Sequence, residues 1–491
     1  MKIANLTPFE REVWDAFPRG RDVESPDAGN DKAEEGRSWG PDRTVRAEVL
    51  RKLLLTGRPA DGEVAALRLA GVRISGQLDL RFAAVPYAVR FWGCYFERAP
   101  LLYAMAVRQL NFSECYLPAL DAATIRVDGV LRITGSRIPG EVRLGGARIS
   151  GAFFLDEAHL GRARSDDLER KPTLQLNHAT INDDVSGSHL VAHGTVRLAG
   201  ATIAGAVYLD EAELSEPGRT ALDAENLKVG SNLSASRLRT SGAVNLRGAK
   251  IPGHLDLTEA RLSNPDGMAL WASGCAIGEL WLHNAAPIDG SVRLRRSQFD
   301  LIHATPDAWP TSVKLDGLTF SSLSPQLPAD ERLELLERDE DGYVPHSYEQ
   351  LSAAYRRVGD DAGARAVQLA KQRRHRKTLS WYAKLWGTVQ DVAVGYGYRP
   401  TRAMAWLLAL LLTGTVVYGL HHPQPVEPGK APDFNALIYT LDLLLPIIDF
   451  GQEKAFNPHG LYQWLAYLLI AAGWILATTV VAGITRAVSR Q

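Results

Sequence analysis

The side chains in this sequence that could do chemistry fall into four sets. Asp156-Glu157 and Asp210-Glu211 are paired acids, the residue type that moves protons. Cys94, Cys115 and Cys275 are its three thiols. Lys371, Arg373, Arg374, Arg376 and Lys377 place five fixed positive charges within seven residues. Asp442 and Asp449 lie in or beside a stretch, Asn435 to Phe450, that is apolar apart from them, Tyr439 and Thr440. The paired acids recur on the polar spacers of a repeat, which predicts solvated surface and not catalysis. The cysteines form no CxxC pair and no His-flanked cluster, against a disulfide framework or zinc site. The chain contains no Walker motif, no HExxH and no Gly-rich loop between strand and helix. No catalytic, cofactor-binding or metal residue is predicted, and no cofactor.

Charge and length set the frame. The 491 residues carry 55 basic against 56 acidic side chains. There is no global pull toward nucleic acid, and none is expected as a partner. Mean hydropathy is slightly negative, so any membrane part is a minor fraction. The first residues lack the apolar core of a signal peptide, which predicts a cytoplasmic N-terminal bulk.

The elements that position these residues begin with a repeat. Leu144-Gly-Gly-Ala-Arg-Ile149, Leu155-Asp-Glu-Ala-His-Leu160, Leu198-Ala-Gly-Ala-Thr-Ile203 and Leu246-Arg-Gly-Ala-Lys-Ile251 share one pattern. Large aliphatics five apart fit neither a helix nor strand alternation. They fit a coil that turns a corner every five residues, with the small residue also facing in. Pairs of units make coils of about 22 residues, and a 48-residue super-repeat aligns Val196, Val244 and Val292. Its excess falls in Ser215-Glu-Pro-Gly-Arg219 and Ser263-Asn-Pro-Asp-Gly267, which predict loops at one edge. Cys94 and Cys115, 21 apart, occupy the small position and should stack as buried hydrophobes.

These units resemble the pentapeptide-repeat family. That likeness implies a mainly β protein built on a right-handed, four-sided β-helix, here about eleven coils and roughly 50 Å long. Val45 to Leu55 predicts an amphipathic helix closing the first end, behind Pro41-Asp-Arg-Thr44. Tyr348, Leu351, Tyr355 and Val358 share a helical face, and Gly359-Asp-Asp-Ala-Gly363 breaks it, predicting a helical hairpin. The expected divisions are 1–66 (N-terminal segment with capping helix), 67–320 (solenoid), 321–346 (linker) and 347–377 (hairpin with its basic end). An interfacial segment, 378–402, and a membrane domain, 403–491, follow.

The basic segment is followed by Trp381, Tyr382, Trp386, Tyr396 and Tyr398, the order expected where a chain meets anionic headgroups. Ala403 to Leu420 is an uncharged run of 18, and Leu461 to Ile484 one of 24. Both suit membrane spans. Arg399 and Arg402 precede the pair and Arg486 and Arg490 follow it, while the connection carries two lysines against five acids. The positive-inside rule then predicts a plasma (inner) membrane protein with two spans and both termini cytoplasmic. The connecting loop, 434–453, reads either as a re-entrant pore loop or as a helix lying in the outer leaflet. Its pore-loop residues would be Asp442, Pro446, Asp449, Phe450, Gly451 and Gln452, with Asp449 forming an acidic ring and Asp442 a second ring or a partner for Lys454. The segment resembles the two-span pore module of cation channels, although no Thr-Val-Gly-Tyr-Gly run lies between the spans. Gly395-Tyr-Gly397 precedes the first span and would be cytoplasmic.

With Gly-Tyr-Gly-Tyr-Arg-Pro400 and Leu-Pro-Ile-Ile-Asp449, the full arrangement is similar to an actinobacterial membrane-protein family. Its members often carry pentapeptide-repeat or membrane-associated oxidoreductase labels. The expected protein is a homo-oligomer in the lipid bilayer. Its cytoplasmic solenoids would form a sensing or docking ring, for a protein or ligand, on a small cation-selective pore. A non-conducting membrane-anchored scaffold and a membrane-associated oxidoreductase are the alternatives.

Overall fold

Aliphatic side chains five apart do turn a corner between them. Val142, Ile149, Phe153 and Leu160 point into one turn of the chain, and each is at most 1% exposed. Each sits on a short strand paired in parallel with the turns before and after it. Val142 lies between Leu120 and Leu174, Ile149 between Val127 and Ile181, and Phe153 between Leu131 and Val185. Ile138, Leu160 and Ala192 make the fourth ladder. The result is a four-sided parallel β-solenoid of about eleven turns. Burying one such side chain contributes roughly 1.5–3 kcal/mol, repeated at every rung.

The computed structural model describes residues 6–25, 29, 31–162, 171–378, 400–427, 429–445 and 448–488, without the side chains of 378, 400–403 and 477–488. It divides into two units, Met1–Gln350 and Leu351–Gln491.

Rungs of the first face, Leu174, Val196, Leu222, Val244, Leu270 and Val292, alternate steps of 22 and 26 residues, which is the 48-residue super-repeat. The longer steps carry their extra residues where the register breaks, between Ser215 and Thr220 and between Ser263 and Met268. There Pro217, Gly218 and Arg219 stand out into solvent. Corners are turns in which the residue before the buried small one has positive φ. Ala158 N–H donates to the Leu155 carbonyl at 3.2 Å across Glu157 (φ 57°), and Ala147 to Leu144 at 3.0 Å across Gly146 (φ 67°). A non-glycine residue in this conformation costs about 1 kcal/mol. The stacked, paired backbone on either side over-determines it.

Both solenoid ends are covered. α1 (Pro8–Ala16) opens with a capping box between Thr7 and Glu10. Val23 and Glu24 pair with Leu69 and Ala70, and Thr44–Arg46 with Arg73–Ser75, so the N-terminal segment supplies the first rungs. α2 (Ala47–Thr56) follows, burying Val49, Leu50, Leu53 and Leu54. The predicted helix thus starts two residues late, because Val45 is a strand rung. Residues 321–346, expected to be a linker, are also structured. Thr319–Ser324 pairs with the preceding turn, α3 (Ala329–Glu337) follows, and Asp339 bridges to Val313. Arg338 donates to the carbonyls of Pro306, Trp309 and Pro310 at 3.2–3.4 Å. Polar, Pro-rich composition here marks a cap on an open sheet edge.

The hairpin forms as α4 (Pro345–Arg357) and α5 (Asp361–Thr378). Gly359 has φ 79°, and the Asp360 carboxylate accepts from Gly363 N–H at 2.8 Å. Tyr348, Leu351 and Tyr355 are buried, but Val358 is 56% exposed because α4 has already ended. α6 (Pro400–Leu420), α7 (Ala436–Leu444), α8 (Gln452–Ala455) and α9 (Leu461–Val488) complete the second unit. Among the described residues, no helix is long and apolar enough to cross a membrane.

Candidate functional site

The loop between α6 and α9 holds the acids singled out from sequence, and the packing of α7 positions them. Asn435 caps α7, its side chain accepting from Leu437 and Ile438 N–H at 3.0 and 3.2 Å. α7 is seated between α6 and α9 on a core of Tyr418, Tyr439, Leu443, Leu444, Phe456, Ala466 and Leu469. Two glycines allow the approach. A Cβ on Gly414 would stand 2.3 Å from the Thr440 methyl, and one on Gly473 2.3 Å from the Leu444 carbonyl oxygen. Tyr418 donates its hydroxyl proton to the Tyr462 carbonyl at 2.9 Å. Gln424 and Pro425 pair with Phe456 and Asn457, tying the two ends of the loop together.

The two aspartates have different environments. Asp442 is 4% exposed and accepts from Phe450 N–H at 2.9 Å and Glu453 N–H at 2.8 Å. It therefore holds the turn from the inside. Asp449 stands in solvent, accepting from Gly451 N–H at 2.8 Å and paired with the Lys454 ammonium. That pair holds the Asp449 carboxyl below the usual carboxylate range, the Lys454 hydrogen bond contributing most. Burial, then repulsion from Asp442 and Asp449, pushes the Glu453 carboxyl up. Lys454 thus partners Asp449 and not Asp442. α7 ends at Leu444, so the helical spacing that would place the two acids on one face does not continue between them. Gly451 has φ 80°, a turn that glycine makes without strain. Gln452 is buried. Its amide donates to the Asp433 carbonyl at 3.0 Å and its oxygen accepts from Asn435 N–H at 3.3 Å. Phe450 is half exposed. Pro446 lies outside the described residues, as do the interfacial aromatics from Trp381 to Tyr398 and Gly395-Tyr-Gly397.

Lys371, Arg373, Arg374, Arg376 and Lys377 lie on the last turns of α5. Cations there complement the partial negative charge of a helix C-terminus.

In the solenoid, Cys94 N–H points at the Cys115 sulfur at 3.4 Å, and Cys115 N–H at the Ser136 hydroxyl at 3.0 Å. The three residues fill the small position of successive turns, as the 21-residue spacing predicts. Burial, with Cys94 alongside, pushes the Cys115 thiol up, and burial takes Cys275 up to about 11. Such thiols are poor nucleophiles at neutral pH. Asp156 and Asp210 are not free surface acids. Asp210 accepts from Ser234 Oγ at 2.6 Å and Ser236 N–H at 3.0 Å on the next turn. Asp156 does the same with Ser186 and Ser188. Sequence reasoning missed these staples, although a Ser-x-Ser on the following turn, Ser186-Gly-Ser188 and Ser234-Ala-Ser236, was the available signal. Among the described residues, no cluster of three or more His, Cys, Asp or Glu side chains could hold a metal ion.

Comparison with family profiles, curated proteins and solved structures gives no match.

One further feature marks the helical unit. Of twenty-three large apolar side chains exposed among the described residues, sixteen lie between Met404 and Ile475. On α6 they include Trp406, Leu408, Leu412 and Val416; on α9, Trp464, Leu468, Trp474 and Ile475. Water-facing surfaces rarely carry such a concentration.

Proposed function

We propose that this chain is a membrane-anchored β-solenoid: its two spans are the apolar runs 403–420 and 461–484, which lie on α6 and α9, and the solenoid is a cytoplasmic docking platform. By its described residues alone, neither helix is long and apolar enough to cross a membrane. The observation that carries this reading is the crowding of exposed apolar side chains on α6 and α9, around a seam that is itself well packed. Lipid is the solvent in which such a surface is stable. The basic flanks of the two helices favour both termini on the cytoplasmic side of the plasma membrane. The test is extraction from cell membranes. The chain should sediment with membranes, stay there in alkaline carbonate and high salt, and leave only with detergent. Release by salt or carbonate overturns the anchor.

A second reading is supported by the seating of α7. A short helix gripped between two spans, followed by a tight turn with acids, has the layout of a re-entrant pore loop. In this reading several copies surround an axis, the solenoids form a ring beneath it, and Asp449 faces the cation path. Planar-bilayer recordings of purified protein test it. Cation-selective current that weakens in Asp449→Asn supports the pore, and the absence of current from folded protein leaves the scaffold.

A further inference from the structure

The outward rows of the first, third and fourth faces of the solenoid each include an acid. On the first and fourth some acids stand beside a basic residue of the adjacent turn, although Arg239 is also stacked on Arg261 and Arg293 on Lys314. On the first face Arg143 meets Asp121 at 3.6 Å and Arg197 meets Asp223 at 3.3 Å; on the fourth, Arg239 meets Glu213 at 3.0 Å. The second face departs from this. Its outward row runs Arg126, Arg148, Thr180, Thr202, Lys228, Lys250 in unbroken register. Arg126 is stacked on Arg148 and Lys228 on Lys250, and the row contains no acid. All four cations are exposed, and none forms an ion pair with a described residue. Like charges opposed across a ladder are destabilising, so this row costs the fold stability that alternating signs would restore.

We propose that the second face of the solenoid docks on an anionic lipid surface, the cations of this row meeting phosphate headgroups. The row spans five turns, about 24 Å at the spacing of β-strands. Beside the lysines the same face carries only Ala204, Gly230 and Pro252, which let a flat partner come close. The neighbouring positions add Arg108 against Asp128 and Asp183, leaving the face positive. The surface has no aromatic side chain in these rows. A protein partner would need an apolar or aromatic anchor, and single-stranded nucleic acid a stacking platform. A headgroup plane needs neither, only charge. Each basic residue at such a surface is worth about five-fold in binding.

The proposal concerns the solenoid and stands apart from insertion of α6 and α9. Its test uses the full chain in lipid nanodiscs of phosphatidylcholine alone or with about a third phosphatidylglycerol. A water-soluble amine-acylating reagent is added and each lysine is quantified by mass spectrometry. Lys228 and Lys250 should be acylated at least about five-fold more slowly in the anionic discs, with Lys32 unchanged. The protection should vanish at high salt and in an Arg126→Glu/Arg148→Glu variant. Equal acylation in both lipids overturns the proposal, whether or not the chain sits in the disc, and disc occupancy reports separately on the anchor. Protection by duplex or single-stranded oligonucleotide, and not by anionic lipid, assigns the face to nucleic acid and also overturns it.

Discussion

Replacing Asp442 with alanine separates a carboxylate that builds the loop from one that faces out of it. Asp442 is 4% exposed, and its two oxygens take the N–H groups of Phe450 and Glu453. Without it both donors are left unpaired, at about 1–3 kcal/mol each where water does not reach them. Asp442→Ala should therefore loosen residues 449–455 by about 2–6 kcal/mol, and Asp442→Asn, which keeps one acceptor oxygen, by about half. Hydrogen–deuterium exchange of the protein in detergent reads this locally. A loss of about 2 kcal/mol speeds exchange of the Phe450 and Glu453 amides roughly thirty-fold, since 1.36 kcal/mol is a factor of ten. Asp449→Ala is the internal comparison. It removes an exposed carboxylate with one backbone contact, and should leave the Phe450 and Glu453 amides protected. Unchanged exchange in Asp442→Ala, or faster exchange only in Asp449→Ala, would refute the assignment of Asp442 as the loop's internal support.

Two further outcomes follow from the solenoid. Leu246 is 1% exposed inside a coil, so Leu246→Asp combines a lost aliphatic, about 2–5 kcal/mol, with an unpaired buried charge. The full chain should lose its β-type circular dichroism, while Leu246→Met keeps it; a native-like melt for the aspartate variant would sink the inward assignment. Glu10, fully buried, takes Arg46 at 2.7 and 2.8 Å and the Thr7 and Arg46 N–H groups at 3.0 Å. Burial alone would raise its carboxyl, but these partners outweigh burial and lower it. A lowered folded value means stability present above the unfolded carboxyl's 4.5 and lost as pH falls through the folded value. Glu10→Gln should cost about 2 kcal/mol at neutral pH, partly offset because Arg46 is 37% exposed. In urea titrations its gap from the unaltered protein should close as pH drops below 4.5; a gap independent of pH contradicts the ion pair.

The solenoid is legible because one inward residue per face repeats at a fixed interval, and burial acts on that residue alone. Leu144, Ala147 and Ile149 state the geometry of a corner directly. What carries the corner is less visible. Glu157, Arg237 and Glu259 hold positive φ at positions where sequence logic looks for glycine. Their conformation is imposed by the stacked turns, an effect that no local propensity reports. The caps were misjudged in the same way. Thr44–Arg46 and Asp339 are single rungs whose only reason to be extended is an open sheet edge elsewhere in the chain. The Asp156 staple spans the step that contains residues 163–170, and pairing it with Ser188, 32 positions on, requires knowing that the step is ten residues long beyond the usual coil.

At the loop, the spacing read from the sequence does not describe how the two aspartates are held. Seven residues between Asp442 and Asp449 put both on one face only if a helix continues, and α7 stops at Leu444. The consequence for a cation path is specific. Asp449 already has Lys454 as its counter-ion, so a passing cation competes with an ammonium fixed five residues away. Asp442 is committed to two backbone N–H groups and offers no oxygen without opening the turn. Glu453, whose carboxyl burial and two neighbouring acids push up, is the remaining acid of the turn, and it ionises less readily than an ordinary glutamate. A pore built on this loop would draw cations through the summed negative potential of the turn and not through a bare carboxylate ring. An anchored solenoid needs none of these charges to be free, which is why the apolar surface of α6 and α9, and not the acids between them, carries the functional reading.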